Sequence, residues 1–287
     1  MLAASLLTSC EKSLISDDEV EKNPSVSVTD GKRFTFTVKG DFTTEWKSVT
    51  RGYLQADGKD MTDLWVFDYM GDVLVQQIHQ SDNTVEDFGR PSMTLAYGSH
   101  HVYFVASRGT SPTLNTTSGT IVWSSVRDTF WADYAVEVVN TSNGNRAVTL
   151  DRVVTKLTLN FTDAVSADAS TINFTPSTWY YGLNYMTGEP TTATNSQTVT
   201  ITLPDGYAGR TDVSAAYFSI SPSADWTTDV TVNSKNSGNV IIGQGVMVGV
   251  PMKRNRVTEY SGPLFTSGGT MTTSLNTDWI TTYEGEW

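Results

Sequence analysis

The sequence predicts an all-β fold arranged as two tandem β-sandwiches. Three observations carry that expectation. Apolar residues recur with a period of two in many short stretches, the signature of half-buried strands. Only 17% of the 287 residues are charged, while Thr, Ser, Val and Tyr are abundant, a mixture that favours strands over long helices. Gly, Pro, Asn and Asp punctuate the chain between these stretches, which is the spacing of sandwiches and barrels.

The elements follow in order. Phe34, Phe36 and Val38 alternate with Thr35, Thr37 and Lys39, so the three apolar residues are expected buried on one face, flanked by exposed Lys32 and Lys39 at the ends. Leu64 to Tyr69 is an apolar run that suits a strand covered on both faces. Met70-Gly71-Asp72 turns it into Val73, Leu74 and Val75, so the two read as a hairpin. Val102 to Ala106 is a second buried strand. Leu157, Leu159 and Phe161 alternate with polar residues, as do Val199, Ile201 and Leu203. Tyr217 to Ile220 and Val240 to Ile242 complete the series. A short helix is allowed at 124–132, without changing the class. The polar cluster Thr141 to Asn145 marks a boundary. The predicted organisation is a signal-peptide remnant at 1–9, an acidic tether at 10–30, an N-terminal sandwich at 31–150 and a C-terminal sandwich at 151–287.

Cys10 is the only cysteine. It follows Leu6-Leu7-Thr8-Ser9, an apolar and small-residue run of the form that precedes a lipidated cysteine. Acyl chains there would partition into a bilayer at roughly 0.8 kcal/mol per CH2. The polar, acidic stretch after it suits a surface tether. Residues 1–9 hold no Lys or Arg and are shorter than a full secretory signal. The expected location is the outer membrane, reached as a lipoprotein. The net charge is −12, which repels phosphate backbones and argues against nucleic-acid binding.

Motifs that carry chemistry are missing from the sequence. There is no HExxH, GxSxG, P-loop or paired-cysteine metal site, so no enzyme activity and no cofactor are expected. Gly243-Gln244-Gly245 lies between β-rich segments and reads as a strand bend or bulge. His100 and His101 are adjacent on a strand and point to opposite faces, which makes a shared metal difficult. Asp57, Asp60 and Asp63 lack the ligand order of a calcium loop. Trp179, Tyr180, Tyr181 and Tyr185 could stack on a sugar ring, or fill a core.

Several stretches, taken together in order, resemble the fimbrillin superfamily of Bacteroidetes. They are the Cys10 lipobox, the acidic tether, the strand Phe34–Val38, Val49-Thr50-Arg51-Gly52 and Asp63–Asp68 with Gly71. Further on come Leu95-Ala96-Tyr97-Gly98 with the strand after it, Arg152–Leu157, and Asn255-Arg256-Val257. Residues 61–109 look most similar to the branch of anchor and accessory subunits. The resemblance implies transthyretin-like sandwiches and a place in, or at an end of, a surface fimbria, with other fimbrial subunits as partners. In polymerising members an arginine-specific protease cuts behind the first strand. Arg51, followed by Gly52, occupies that place. Anchor members keep the first strand and the lipid, which would make Arg51 an uncut loop residue.

The residues allow the physics of such assembly. Loss of Phe34, Phe36 and Val38 would open an apolar groove and a strand edge, a template for another chain. Met271, Leu275, Trp279, Tyr283 and Trp287 share one parity of an extended chain. That pattern fits a donor strand, and it fits a resident last strand equally. The alternative to a fimbrial subunit is a lipid-anchored surface protein that binds polysaccharide through Trp179 and Tyr181.

Overall fold

The computed structural model describes residues 19–22, 30–40, 61–81, 87–108, 112–191 and 197–266. The chain first forms β1 (Glu19–Lys22), β2 (Gly31–Gly40), β3 (Asp63–Met70), β4 (Val73–Gln80), β5 (Ser92–Ala96) and β6 (Gly98–Ser107). Next come β7 (Thr113–Asn115), β8 (Thr120–Val122), β9 (Thr129–Val138), β10 (Asn145–Arg152), β11 (Val154–Phe161), β12 (Ala169–Pro176) and β13 (Gly182–Asn184). The series ends with β14 (Glu189–Pro190), β15 (Val199–Thr202), β16 (Val213–Ile220), β17 (Trp226–Asn236), β18 (Ile241–Met252) and β19 (Val257–Gly262). The described residues contain no helix. The allowed helix at 124–132 is therefore replaced: residues from Thr129 onward form β9. Pairing with β6 along the whole of β9 satisfies one edge of its backbone and buries Phe130 and Ala132, which outweighs a weak local helical tendency.

The first sheet runs β1-β4-β3-β6-β9-β10-β2-β5. It folds over at β10. Asp151 and Arg152 pair with β9, whereas residues 145–150 pair in parallel with β2. An apolar core lies between the two arms, with Phe34 and Phe36 facing Val66, Ile78, Val102, Phe104 and Phe130. The β3–β4 hairpin turns at Gly71, whose φ of 59° lies in the left-handed region that glycine enters without steric cost. Along β3 nearly every side chain is buried. Its even residues Leu64 and Val66 enter the first core, while Trp65, Phe67 and Tyr69 enter a second.

That second core is larger and continues into residues 153–265. A small sheet, β14-β13-β8-β7, joins the two regions, because the hairpin at 113–122 pairs with residues 182–184. Beyond it, β16-β11-β19 faces β15-β12-β17-β18. Phe174 of β12 stacks on Tyr217 of β16 at 3.8 Å between ring centroids. The register of β17 on β18 shifts between Ser234 and Lys235, a bulge beside Gly243. A Cβ on Gly243 would stand 1.7 Å from the Leu264 carbonyl oxygen, so only glycine lets the chain cross there.

Candidate functional site

The element most exposed to a functional reading is β2. Its alternation places Phe34 and Phe36 inward with no exposed surface, while Val38 is half-buried and Lys39 exposed. Lys32, expected at an exposed end, is half-buried. The Phe36 ring meets Phe104 edge-on at 5.1 Å and Tyr134 at 5.8 Å. The guanidinium of Arg146 lies 5.3 Å over the Phe34 ring. Burying each phenylalanine is worth roughly 1.5–3 kcal/mol.

The backbone of β2 is held on both sides. Thr35 N–H donates to the Gly144 carbonyl at 2.7 Å. Phe36 and Val38 N–H donate to the Pro91 and Gly89 carbonyls, each at 2.9 Å. Ser92 Oγ accepts from Arg33 Nε and donates to the Phe34 carbonyl. Withdrawal of β2 would leave β5 and β10 without these partners and uncover the first core. Such a groove offers both apolar pockets and unpaired backbone, the two requirements for adding a strand from another chain.

The other expected site residues divide sharply. Cys10, Arg51, Gly52, Met271, Leu275, Trp279, Tyr283 and Trp287 lie outside the described residues. Trp179, Tyr181 and Tyr185 are buried, so they form no flat exposed platform for a sugar. Trp179 Nε1 donates to the Phe218 carbonyl at 2.8 Å, and its ring packs edge-on against Phe174. Tyr185 stacks on Phe67 at 4.0 Å, shares a hydroxyl hydrogen bond with Tyr69, and accepts from Trp131 Nε1 at its carbonyl. Tyr185 thereby joins the two regions, while Trp179 packs within the second. Burial pushes the Tyr181 phenol up to about 12.

The three histidines each meet their own carboxylate. His79 contacts Asp63 and stacks on Trp65; His101 contacts Asp133 at the surface. His100 points the other way, into the protein, as adjacency on a strand requires. Its Nδ1 lies 2.6 Å from Asp68 Oδ1 and its Nε2 lies 3.0 Å from the Ala96 carbonyl. Both ring nitrogens face oxygen atoms, an arrangement that favours the protonated imidazolium. Burial alone would lower its pKa; the Asp68 hydrogen bond and charge outweigh it and raise the value. Gln76 donates to Asp68 and to the Thr94 carbonyl, completing the cluster. Sequence reading missed this network, because nothing local marks Asp68 and His100 as partners. Among the described residues no group of three or more His, Cys, Asp or Glu is placed to hold a metal ion.

Comparison with known proteins gives the following. A family model, described as a family of unknown function (DUF6562), matches residues 113–287. The match begins at β7, the first strand of the joining sheet. No curated protein matches the sequence. The fold is similar to a candidate adhesin from Bacteroides ovatus, with a TM-score of 0.51 and 12% identity, covering 86% of this chain and 94% of that one. It is also similar to proteins from Bacteroides thetaiotaomicron described as candidate polysaccharide-binding proteins (DUF1812), with a TM-score of 0.52 and 9% identity. That likeness covers 82% of this chain and 92% of the other. At such identities the likeness is one of all-β fold.

Proposed function

The chain belongs to the DUF6562 family of unknown function, and we propose that this member is a structural subunit of a cell-surface fimbria, without catalytic activity. In this reading it consists of two tandem transthyretin-like sandwiches. It is exported as a lipoprotein through Cys10 to the outer membrane, and it joins other subunits by strand exchange or holds them as an anchor. One observation carries the reading: a single strand, β2, closes the first core with the fully buried Phe34 and Phe36. Its other neighbours, β5 and β10, would gain a free edge on its departure. The fold's likeness to adhesins of Bacteroides species supports a surface role. The polysaccharide alternative keeps only the description of one structural neighbour, since Trp179 and Tyr181 are buried.

Limited digestion with an arginine-specific protease tests the proposal. The expected first cut follows Arg51, with release of residues 11–51 and slow oligomerisation through the uncovered groove. Cleavage first at Arg108 or Arg210 sinks the polymerising form and leaves the anchor form. In the anchor form, Cys10→Ala moves the protein out of the membrane fraction; unchanged membrane association of that variant removes the anchor form as well.

A further inference from the structure

The four-stranded sheet β15-β12-β17-β18 turns Ile172, Phe174, Val230, Val232 and Met247 into the second core. The residues between them point the other way, and the strand registers set them in rows across the sheet. The middle row is Thr200, Asn173, Asn233 and Gln244, each paired directly with the next. On one side of it lie Thr202, Thr171, Lys235 and Ile241, and on the other Thr175, Thr231 and Val246. Lys235 is the only charged residue in these rows. A soluble surface ordinarily carries charge at about a quarter of its positions or more.

Hydrogen bonds orient the middle row. Asn173 Nδ2 donates to Thr200 Oγ1 at 3.1 Å, and Gln244 Nε2 donates to Asn233 Oδ1 at 2.8 Å. Thr171 Oγ1 donates to Asn173 Oδ1. A primary amide has two donor hydrogens and two acceptor lone pairs, so each keeps capacity beyond these bonds. The charges at the margin are engaged elsewhere: Lys235 Nζ donates to Asn239 Oδ1, and Asp229 Oδ1 accepts from Gly249 N–H. Beside the rows, the chain runs without a charge from Val240 to Met252. It presents Val246 and Val248 outward, 54% and 78% exposed. An apolar ridge thus borders a field of neutral amides and hydroxyls, and exposed apolar surface with a polar rim marks binding sites.

We propose that this face binds an extended, uncharged, β-linked glycan. Sugar rings combine the same two characters, with hydroxyls at the rim and C–H groups on the faces. The hydroxyls exchange hydrogen bonds with the amides and threonines, while C–H groups lie on Val246 and Val248. Desolvating neutral groups costs far less than desolvating charges. An acidic polymer is repelled by a chain of net charge −12. Neighbouring strands stand about 4.8 Å apart, close to the rise per sugar of an extended β-linked chain, so one row meets successive sugars. A protein partner fits less well, because protein interfaces favour aromatic residues, Met and Arg, and these rows hold none. The surface is distinct from Trp179 and Tyr181, which are buried. None of its residues lies on β2 or in the first core, so glycan binding and strand exchange can each fail without the other.

Affinity electrophoresis of the full chain, in native gels containing soluble mixed-linkage β-glucan or β-glucomannan, is the test. Retardation by at least one of them is expected, with none by alginate, an acidic glycan. Asn233→Ala combined with Gln244→Ala should weaken it by about tenfold, while Thr149→Ala, on the outward face of β10, leaves it unchanged. Val248→Asp, at the most exposed apolar position, should weaken it too, and carries the test if the double variant loses its thermal stability. No retardation by either neutral glycan, retardation by alginate as strong, or retardation that the folded variants keep in full, overturns the proposal. A dimer in sedimentation that Val248→Asp dissociates assigns the face to a second copy and also overturns it.

Discussion

The two cores of this molecule are closed in different ways. The first is sealed by β2, whose parallel partner β10 stands far along the chain. The second is built by β11, β12, β16, β17 and β18, where β11 pairs with β16, β12 with β17 and β17 with β18, of which only the last two are consecutive along the chain. It also extends under the first sheet through Trp65, Phe67 and Tyr69. The first core can thus lose one strand and leave an intact groove. In the second, the apolar side chains come from strands of two facing sheets and from β3, so its closure is shared among them. The difference teaches where a chain can be both stable and open to exchange: at a strand that supplies large side chains but few chain connections.

The sharpest way to break this comparison is a matched pair of truncations. Phe36→Ala and Phe174→Ala each empty a fully buried site, and each should cost about 3–5 kcal/mol. Denaturant unfolding followed by tryptophan fluorescence reads the loss. The expected contrast lies in the products. Phe36→Ala should loosen β2 and expose residues 34–38 to hydrogen exchange ahead of β11 and β16, whereas Phe174→Ala should raise exchange across both β12 and β16. If Phe36→Ala loosens both cores alike, β2 is not a separable closure.

The next effect is smaller and depends on pH. His100 has a folded pKa above its ordinary 6.5. Its stabilisation is therefore fully present below 6.5 and is lost as pH rises through the raised folded value. Asp68, Gln76, the Ala96 carbonyl and, at longer range, Glu137 surround it. Loss of the charge-assisted bond is worth about 1.5–3 kcal/mol. Urea unfolding from pH 6 to 9 should show a fall in stability that His100→Gln removes. A pH profile shared by both proteins would show that His100 does not titrate in this window.

The smallest expected change is at Asp163. Replacing it with Asn keeps one acceptor oxygen but sets an amide group against backbone donors. The expected cost is about 1 kcal/mol, with faster exchange at Leu264, Phe265 and Thr266 and no change within β2. Equal protection of those amides in the variant would show that the hydrogen bonds do not fix the chain there.

Much of this was legible in the sequence. The period-two stretches at 34–38, 157–161 and 199–203 form strands because one face of each meets a core. Gly71 and Gly243 marked a turn and a bulge. The sequence did not reveal β9, β12 or β17, whose outward Thr, Asp and Asn residues look locally like turns. Burial of Val230 and Val232 against β12 decides β17 as a strand. The aromatic run at 179–181 could not be read as core or platform from its composition, because both need the same rings. Only the packing of Trp179 against Phe174 and Phe218 resolves it.

By itself the sequence determined the class, the period and the inward residues of β2, since alternation is a local property of an extended chain. Tertiary structure alone decided which strands became neighbours. Nothing local in residues 35–40 specifies a parallel partner at 145–150, and nothing local in Asp68 tells that His100 is its partner. Pairing is set by which apolar surfaces remain to be buried once the whole chain has collapsed, and that is a property no single segment carries.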